Sequence, residues 1–266
     1  MPASDRMKAK ATREAAFPGE PFGFEVSSGP GCLDEDIVWS GGGTPAAGTG
    51  RRFTTAFSQG GNHTVTATCG EFTTRLHVTV CAIEEWLGRA KEFYGPSIDF
   101  AGVRVRTSRA VLGPPGTAWT CNTVIRFKRS RRAEDLPRES TLIHELAHVW
   151  EHQSGQAQLL SGFLEQIGRL LGRDPYDFGG PGGLRSARTL TQFGKESQAQ
   201  IVTEHWRSVN GSSADRKGVP FSTPGYAEDL GRLVHEARIG VEASHRRTLA
   251  STLDIAVARI VNAVLG

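Results

Sequence analysis

The hydrophobic period of this 266-residue chain changes once, near residue 82, and that change limits the fold more than any other feature. Between Phe17 and Val80 the large apolar side chains recur at every second position. Phe22, Phe24 and Val26 alternate in "FGFEV", Ile37 and Trp39 in "DIVW", and Phe53, Thr55 and Phe57 in "RFTTAF". Val65, Ala67 and Cys69, then Leu76, Val78 and Val80, continue the series. Successive side chains of a strand point to opposite faces, so this period gives each strand one apolar face. Turn-formers such as "SSGPG", "SGGGTPAAGTG" and "SQGGN" divide the strands. Short strands at this spacing predict an antiparallel β-sandwich over residues 16–82, after a flexible stretch at 1–15.

After Cys81 the period lengthens. Ile83, Trp86, Leu87, Ala90 and Phe93 in "AIEEWLGRAKEFYG" fall at helical spacing. "GVRVRTSRAVLG" and "TAWTCNTVIRF" then read as strands, and the second could offer an edge to which an extended peptide adds. Helices are predicted around 142–152, over 159–172 and 195–209, and in two segments beyond Gly225, with a Gly/Pro-rich loop at 173–190. Strands followed by helices with little alternation predict a second, α+β domain over 83–266, mostly helical.

Within that domain "TLIHELAHVWEHQSG" is the stretch that carries chemistry. At 100° per residue His144, Glu145, His148, Glu151 and His152 share one arc. Leu142, Ile143, Leu146, Ala147, Val149 and Trp150 fill the other. The apolar arc is wide, so the helix is expected to be buried and its polar stripe to have work other than meeting solvent. Imidazoles four residues apart stand one above the other and can converge on one ion. In the pattern H-E-x-x-H, His144 and His148 are zinc ligands and Glu145 is the general base for an attacking water.

His152 cannot join them, because it lies about 12 Å along the helix from His144 while zinc–nitrogen bonds are about 2 Å. The longer form H-E-x-x-H-x-x-G-x-x-H also fails: Glu151 stands at its glycine and Ser154 at its last histidine. The third ligand is then a carboxylate from another element. Glu196 in "KESQAQIV" is the leading candidate, with Ala199 allowing close helix packing; Glu204, Glu165 and Asp177 are alternatives. For a donor to the developing oxyanion the chain offers His205, Tyr226, Tyr176 and His235, with His205 and Tyr226 carried forward.

"TLIHELAHVWEHQSG", "DPYDFGG" and "KESQAQIVTEHW" together resemble a bacterial family of zinc metallopeptidases associated with type VI secretion and Rhs-like toxin systems. The resemblance runs through much of residues 100–206. It implies a zincin-like domain with Glu196 as third ligand, which is the gluzincin arrangement. Ser197, Glu204 and His205 stand where that family has glutamine, aspartate and tyrosine. "VWSGGGTPAAGTGRRFTTAFSQGGNHTVTATCG" resembles PKD-like and other immunoglobulin-like bacterial domains, which mostly bind or space.

Net charge bounds the partners. Lys+Arg number 31 against 28 Asp+Glu, a formal +3, so a polyanionic partner is not expected, nor is nucleic acid. No apolar run reaches the roughly 20 residues of a membrane span. "MPASDRMKAKATREAAFPGE" has no apolar core of a signal peptide, so synthesis in the bacterial cytoplasm is expected, with export by a contractile, type VI-like apparatus. Without a secretory route the four cysteines are expected as free thiols, although a Cys32–Cys69 disulfide fits the strand-rich region.

The expectation is a zinc-dependent endopeptidase acting on a peptide or protein, a secreted effector or toxin whose β-sandwich meets a secretion-apparatus component. Two other readings are open. One is an adaptor whose sandwich recognises a partner and whose zinc is structural. The other is a zinc hydrolase of a non-peptide amide.

Overall fold

The alternating segments form two sheets. The computed structural model describes residues 7–28, 31–155 and 174–239. It divides the chain into two compact units, one comprising Met1–Leu87 with Pro114–Gly116 and Arg129–Pro137, the other Gly88–Gly113, Thr117–Lys128 and the chain from Arg138 onward.

The first unit holds β1 (Lys8–Ala11), β2 (Ala15–Ala16), β3 (Pro21–Ser28), β4 (Val38–Ser40), β5 (Ala47–Thr49), β6 (Arg52–Ala56), β7 (Gly61–Cys69) and β8 (Phe72–Val80). Their orders are β1-β3-β6 in one sheet and β2-β8-β7-β4-β5 in the other. Lys8–Ala11 pair with β3, so these residues belong to a sheet rather than to the flexible N-terminus expected of them. Phe22, Phe24, Val26, Ile37, Trp39, Val65 and Val78 are 2% exposed or less and form one core. Trp39 is its centre. Its ring stacks on Phe53 at 5.8 Å between centroids, and its Nε1–H donates to the Gly50 carbonyl at 2.7 Å, so burial leaves no polar atom unpaired. Each such side chain contributes about 1.5–3 kcal/mol by leaving water.

Cys32 and Cys69 are joined in a disulfide, which corrects the expectation of four free thiols. β7 brings Cys69 to within 6.3 Å of Cys32 between Cα atoms, inside the range a disulfide bridges. Cys81 and Cys121 are free and buried. Burial, only partly offset by a hydrogen bond from the Ile83 backbone, pushes the Cys81 thiol up to about 12.

The division between units falls inside α1 (Ile83–Tyr94), after Leu87. The second unit then carries β9 (Arg104–Ser108), β10 (Ala118–Cys121) and β11 (Val124–Lys128), in the order β10-β11-β9. β11 runs parallel to β9 and antiparallel to β10, so β10 is an outer strand. Its helices are α2 (Glu139–Gln153), α3 (Gly180–Ser186), α4 (Lys195–Val209) and α5 (Tyr226–Ile239).

The expected fold class, with a mostly helical, zincin-like second domain, does not hold. Among the described residues eleven strands in three sheets outnumber five α-helices, and the second unit is organised around a mixed sheet of its own. The expectation leaned on helical periodicity at 159–172 and beyond residue 239, and those stretches lie outside the described residues. No helix among the described residues is long and apolar enough to cross a membrane.

Two contacts fix α2 within its unit. The Arg89 guanidinium makes paired bonds to the Glu139 carboxylate at 2.7 and 2.6 Å, setting the helix start. The buried Tyr94 hydroxyl donates to the Ile143 carbonyl at 2.6 Å, one residue before His144. The apolar arc of α2 is shut away: Leu142, Ile143, Leu146 and Val149 are fully buried. Ala199 on α4 is also fully buried, and its small side chain permits close approach of that helix.

Candidate metal centre

Three side chains from α2 and α4 converge. His144 Nε2 lies 3.1 Å from Glu196 Oε2, and His148 Nε2 lies 3.5 Å from the same oxygen. One potential ligand atom from each of the three residues falls within 4.8 Å of the others, and among the described residues no other such group of His, Cys, Asp or Glu is found. In a tetrahedral zinc site with bonds of about 2.0–2.1 Å, ligand atoms stand roughly 3.3 Å apart. The two measured separations bracket that spacing. The donor set, two imidazoles and one carboxylate, also suits zinc with a position left for water.

Charge couples the three side chains. Burial raises the Glu196 carboxyl, but hydrogen bonds and charge from His144 and His148 outweigh it and hold the group well below the usual carboxylate range. Burial lowers His148, yet the carboxylates of Glu151 and Glu196 raise it on balance well above an ordinary histidine. A metal would displace the proton these groups share.

Two contacts position this cluster. His148 Nδ1 is 3.0 Å from Glu151 Oε2, which directs its other nitrogen, Nε2, toward Glu196. Glu151 is 1% exposed and its Oε1 has no hydrogen-bond partner among the described residues, so its polar contact is spent on this imidazole. Glu145, 7% exposed, accepts a 2.6 Å hydrogen bond from the Thr120 hydroxyl of β10, which ties the candidate base to the outer strand.

Sequence reasoning placed Glu151 on the polar arc of the helix but gave it no role beyond breaking a longer motif. Its i+3 spacing from His148 is the signal that could have found it. Ser197 was similarly noted only as a departure from the family pattern. Its hydroxyl donates to the Pro175 carbonyl at 2.8 Å and so holds the loop bearing Tyr176 against the start of α4. The Tyr176 ring lies 5.7 Å from that of His144, and Arg216 covers the Tyr176 ring at 5.1 Å.

The other candidates lie elsewhere. His205 packs 5.8 Å from Phe93, more than two turns along α4 from Glu196, and close to Gly231 of α5. Tyr226 is fully buried and donates to Asp215 at 2.6 Å; burial, then that carboxylate, drives its hydroxyl far above the ordinary value. The structure therefore does not bring His205 or Tyr226 to the ligand atoms; of the tyrosines and histidines offered as donors, it sets the Tyr176 ring beside His144. His235 is exposed on α5. Of the alternative third ligands, Glu204 is fully buried beside Gln200 and Arg207, its carboxyl raised by burial. Asp177 pairs with Lys217, and Glu165 lies outside the described residues.

No protein-family model matches the chain. Over 129 residues it is 31% identical to the type VI secretion system spike protein VgrG2b of Pseudomonas aeruginosa, an alignment that takes in 46% of this chain and 12% of that protein. The chain is thus a partial relative of a type VI secretion VgrG protein and spans only a small part of its length.

Proposed function

We propose that this chain is a zinc-dependent peptidase of the HExxH, gluzincin-like kind, acting in type VI secretion. The observation that carries the reading is the gathering of His144 Nε2, His148 Nε2 and Glu196 Oε2 at zinc-ligand spacing, with Glu145 next to the first of them. His144, His148 and Glu196 would hold the ion. Zinc there would supply a Lewis acid that polarises the scissile carbonyl and makes water acidic enough to deprotonate near neutral pH.

The remaining work falls to the protein. Glu145, anchored by Thr120, takes the proton of the attacking water and passes it to the leaving amine. Tyr176, placed over His144, donates to the carbonyl oxygen as charge builds on it. β10 is an outer strand that also carries Thr120, so a peptide laid along it by main-chain pairing runs beside Glu145. The likeness to a type VI spike protein supports delivery by that apparatus, with the first unit, read as a PKD-like domain, as the part that meets a secretion component.

Glu145→Gln should keep zinc and abolish peptide hydrolysis, whereas His148→Ala should lose both. Hydrolysis that survives Glu145→Gln removes Glu145 from the role of base.

A further inference from the structure

The face of the second unit's sheet turned away from the candidate metal centre carries a cation that no ion pair balances among the described residues. Thr120 of β10 points to α2 through its bond to Glu145, so its neighbour Trp119 points to the opposite face. Trp119 is the register partner of Arg126 on β11, and Arg126 is the register partner of Arg106 on β9. These three residues therefore form one row across the sheet on that opposite face.

Arg126 is 3% exposed, and its Nη1 is fully buried without a hydrogen-bond partner among the described residues. Neither Arg126 nor Arg106 forms a salt bridge among the described residues. Burial lowers the Arg126 pKa first, the Cys121 thiol acts the other way, and the Arg106 charge lowers it further. A guanidinium cannot escape burial by giving up its proton, so an uncompensated one is costly. Trp119, 37% exposed, is the register partner of Arg126 and places an indole at the outer end of this row.

We infer that Arg126 and Arg106, flanked by Trp119, form a binding site for a carboxylate, and that the carboxylate is an acidic side chain of a peptide paired along β10. A guanidinium presents a planar fork that matches two carboxylate oxygens. An extended peptide added to β10 sends every second side chain to the Trp119 face. This inference rests on the reading of β10 as the substrate strand, and it goes further by assigning preference for Asp or Glu at the position beside Trp119.

The test uses the full chain as Glu145→Gln, so that binding is measured without turnover. Two fluorescent decapeptide pools are compared, one rich in Glu and Asp and one with Gln and Asn in their place. Glutarate serves as the free carboxylate. The acidic pool should bind at least about tenfold more tightly than the amide pool, as charge-assisted bonds warrant. Arg126→Met and Arg106→Gln should each erase most of the difference, and glutarate should compete weakly. Glutarate that binds alone as tightly as the peptide pool would overturn the peptide assignment.

Arg126→Met removes a buried unpaired charge at similar volume, so its Tm should stay level or rise while the Tm gain from acidic peptide disappears. A sharp fall in Tm with no ligand effect would make Arg126 a structural residue and overturn the inference, and Arg106→Gln decides should that variant not fold. Equal binding of the two pools by the parent chain overturns it as well. Wild-type cleavage of peptides without acid preference would sink this inference and leave the peptidase reading standing. Acid-selective binding with no cleavage by wild type would do the reverse.

Discussion

Glu151 is the residue whose removal separates a built metal centre from a chance meeting of three side chains. It is 1% exposed, it lies 3.0 Å from His148 Nδ1, and its second oxygen has no hydrogen-bond partner among the described residues, so that contact is what it contributes. A hydrogen bond with a charged partner is worth about 1.5–3 kcal/mol, and loss of a carboxylate that orients a metal-bound histidine typically costs 10–100-fold in affinity. The two estimates agree, since tenfold is about 1.4 kcal/mol. Glu151→Gln keeps an acceptor but loses the charge, so zinc affinity should fall about tenfold. Glu151→Ala frees the ring as well, and the loss should approach about 100-fold. Competition against a chromophoric zinc chelator at neutral pH reads both. Glu204→Gln is the control, because Glu204 is buried on α4 but bonded to Gln200 and Arg207, and it should leave zinc affinity unchanged. Wild-type affinity in Glu151→Ala, or equal weakening in the control, would refute the reasoning.

Tyr176→Phe should lower kcat by about 100-fold with zinc content unchanged, as loss of an oxyanion donor does; an unaltered kcat in steady-state peptide cleavage returns the role to another group. The Cys32–Cys69 bridge closes a sequence separation of 37 residues, for which the chain-entropy relation gives roughly 4 kcal/mol, so Cys32→Ser/Cys69→Ser should unfold at a correspondingly lower urea concentration. Alkylation in denaturant without reductant should label Cys81 and Cys121 alone, and labelling of Cys32 and Cys69 in the same sample would count against the bridge. Cys81 is pushed up from 9.0 to about 12, so its contribution is present below pH 9 and is lost as pH rises toward 12. Urea melts across that window should show a slope that flattens in Cys81→Ala, and identical slopes would contradict the burial of a neutral thiol.

The alternation of Phe22, Phe24, Ile37, Trp39, Val65 and Val78 could be read directly, because a strand's inward face is written at every second residue. His144 and His148 were legible for a similar reason, since helical spacing puts both on one side of α2. Glu196 needed a resemblance as well as a spacing, because nothing local says which of several glutamates a distant helix will deliver. His205 and Tyr226 were offered on side-chain type and, for His205, its place in the resemblance, and the structure sets both away from the ligand atoms. One turned toward Phe93 and the other found Asp215, choices made by packing that leave no mark in the local sequence. Tyr176 lies beside His144 on a loop that Ser197 helps to hold, through a contact across 22 residues. The balance of strand and helix in the second unit escaped for a different reason. Helical periodicity in long segments weighs heavily in a count of residues, whereas three short strands set the sheet against which α2 lies.

Metal analysis of the purified 266-residue chain is the most direct trial. Dialysed against micromolar zinc at neutral pH, the wild type should retain one zinc per chain by mass spectrometry, and Glu196→Ala should retain far less. A wild-type chain that keeps no zinc under those conditions, or a Glu196→Ala chain that keeps as much as the wild type, would contradict the account of His144, His148 and Glu196 as a single metal centre.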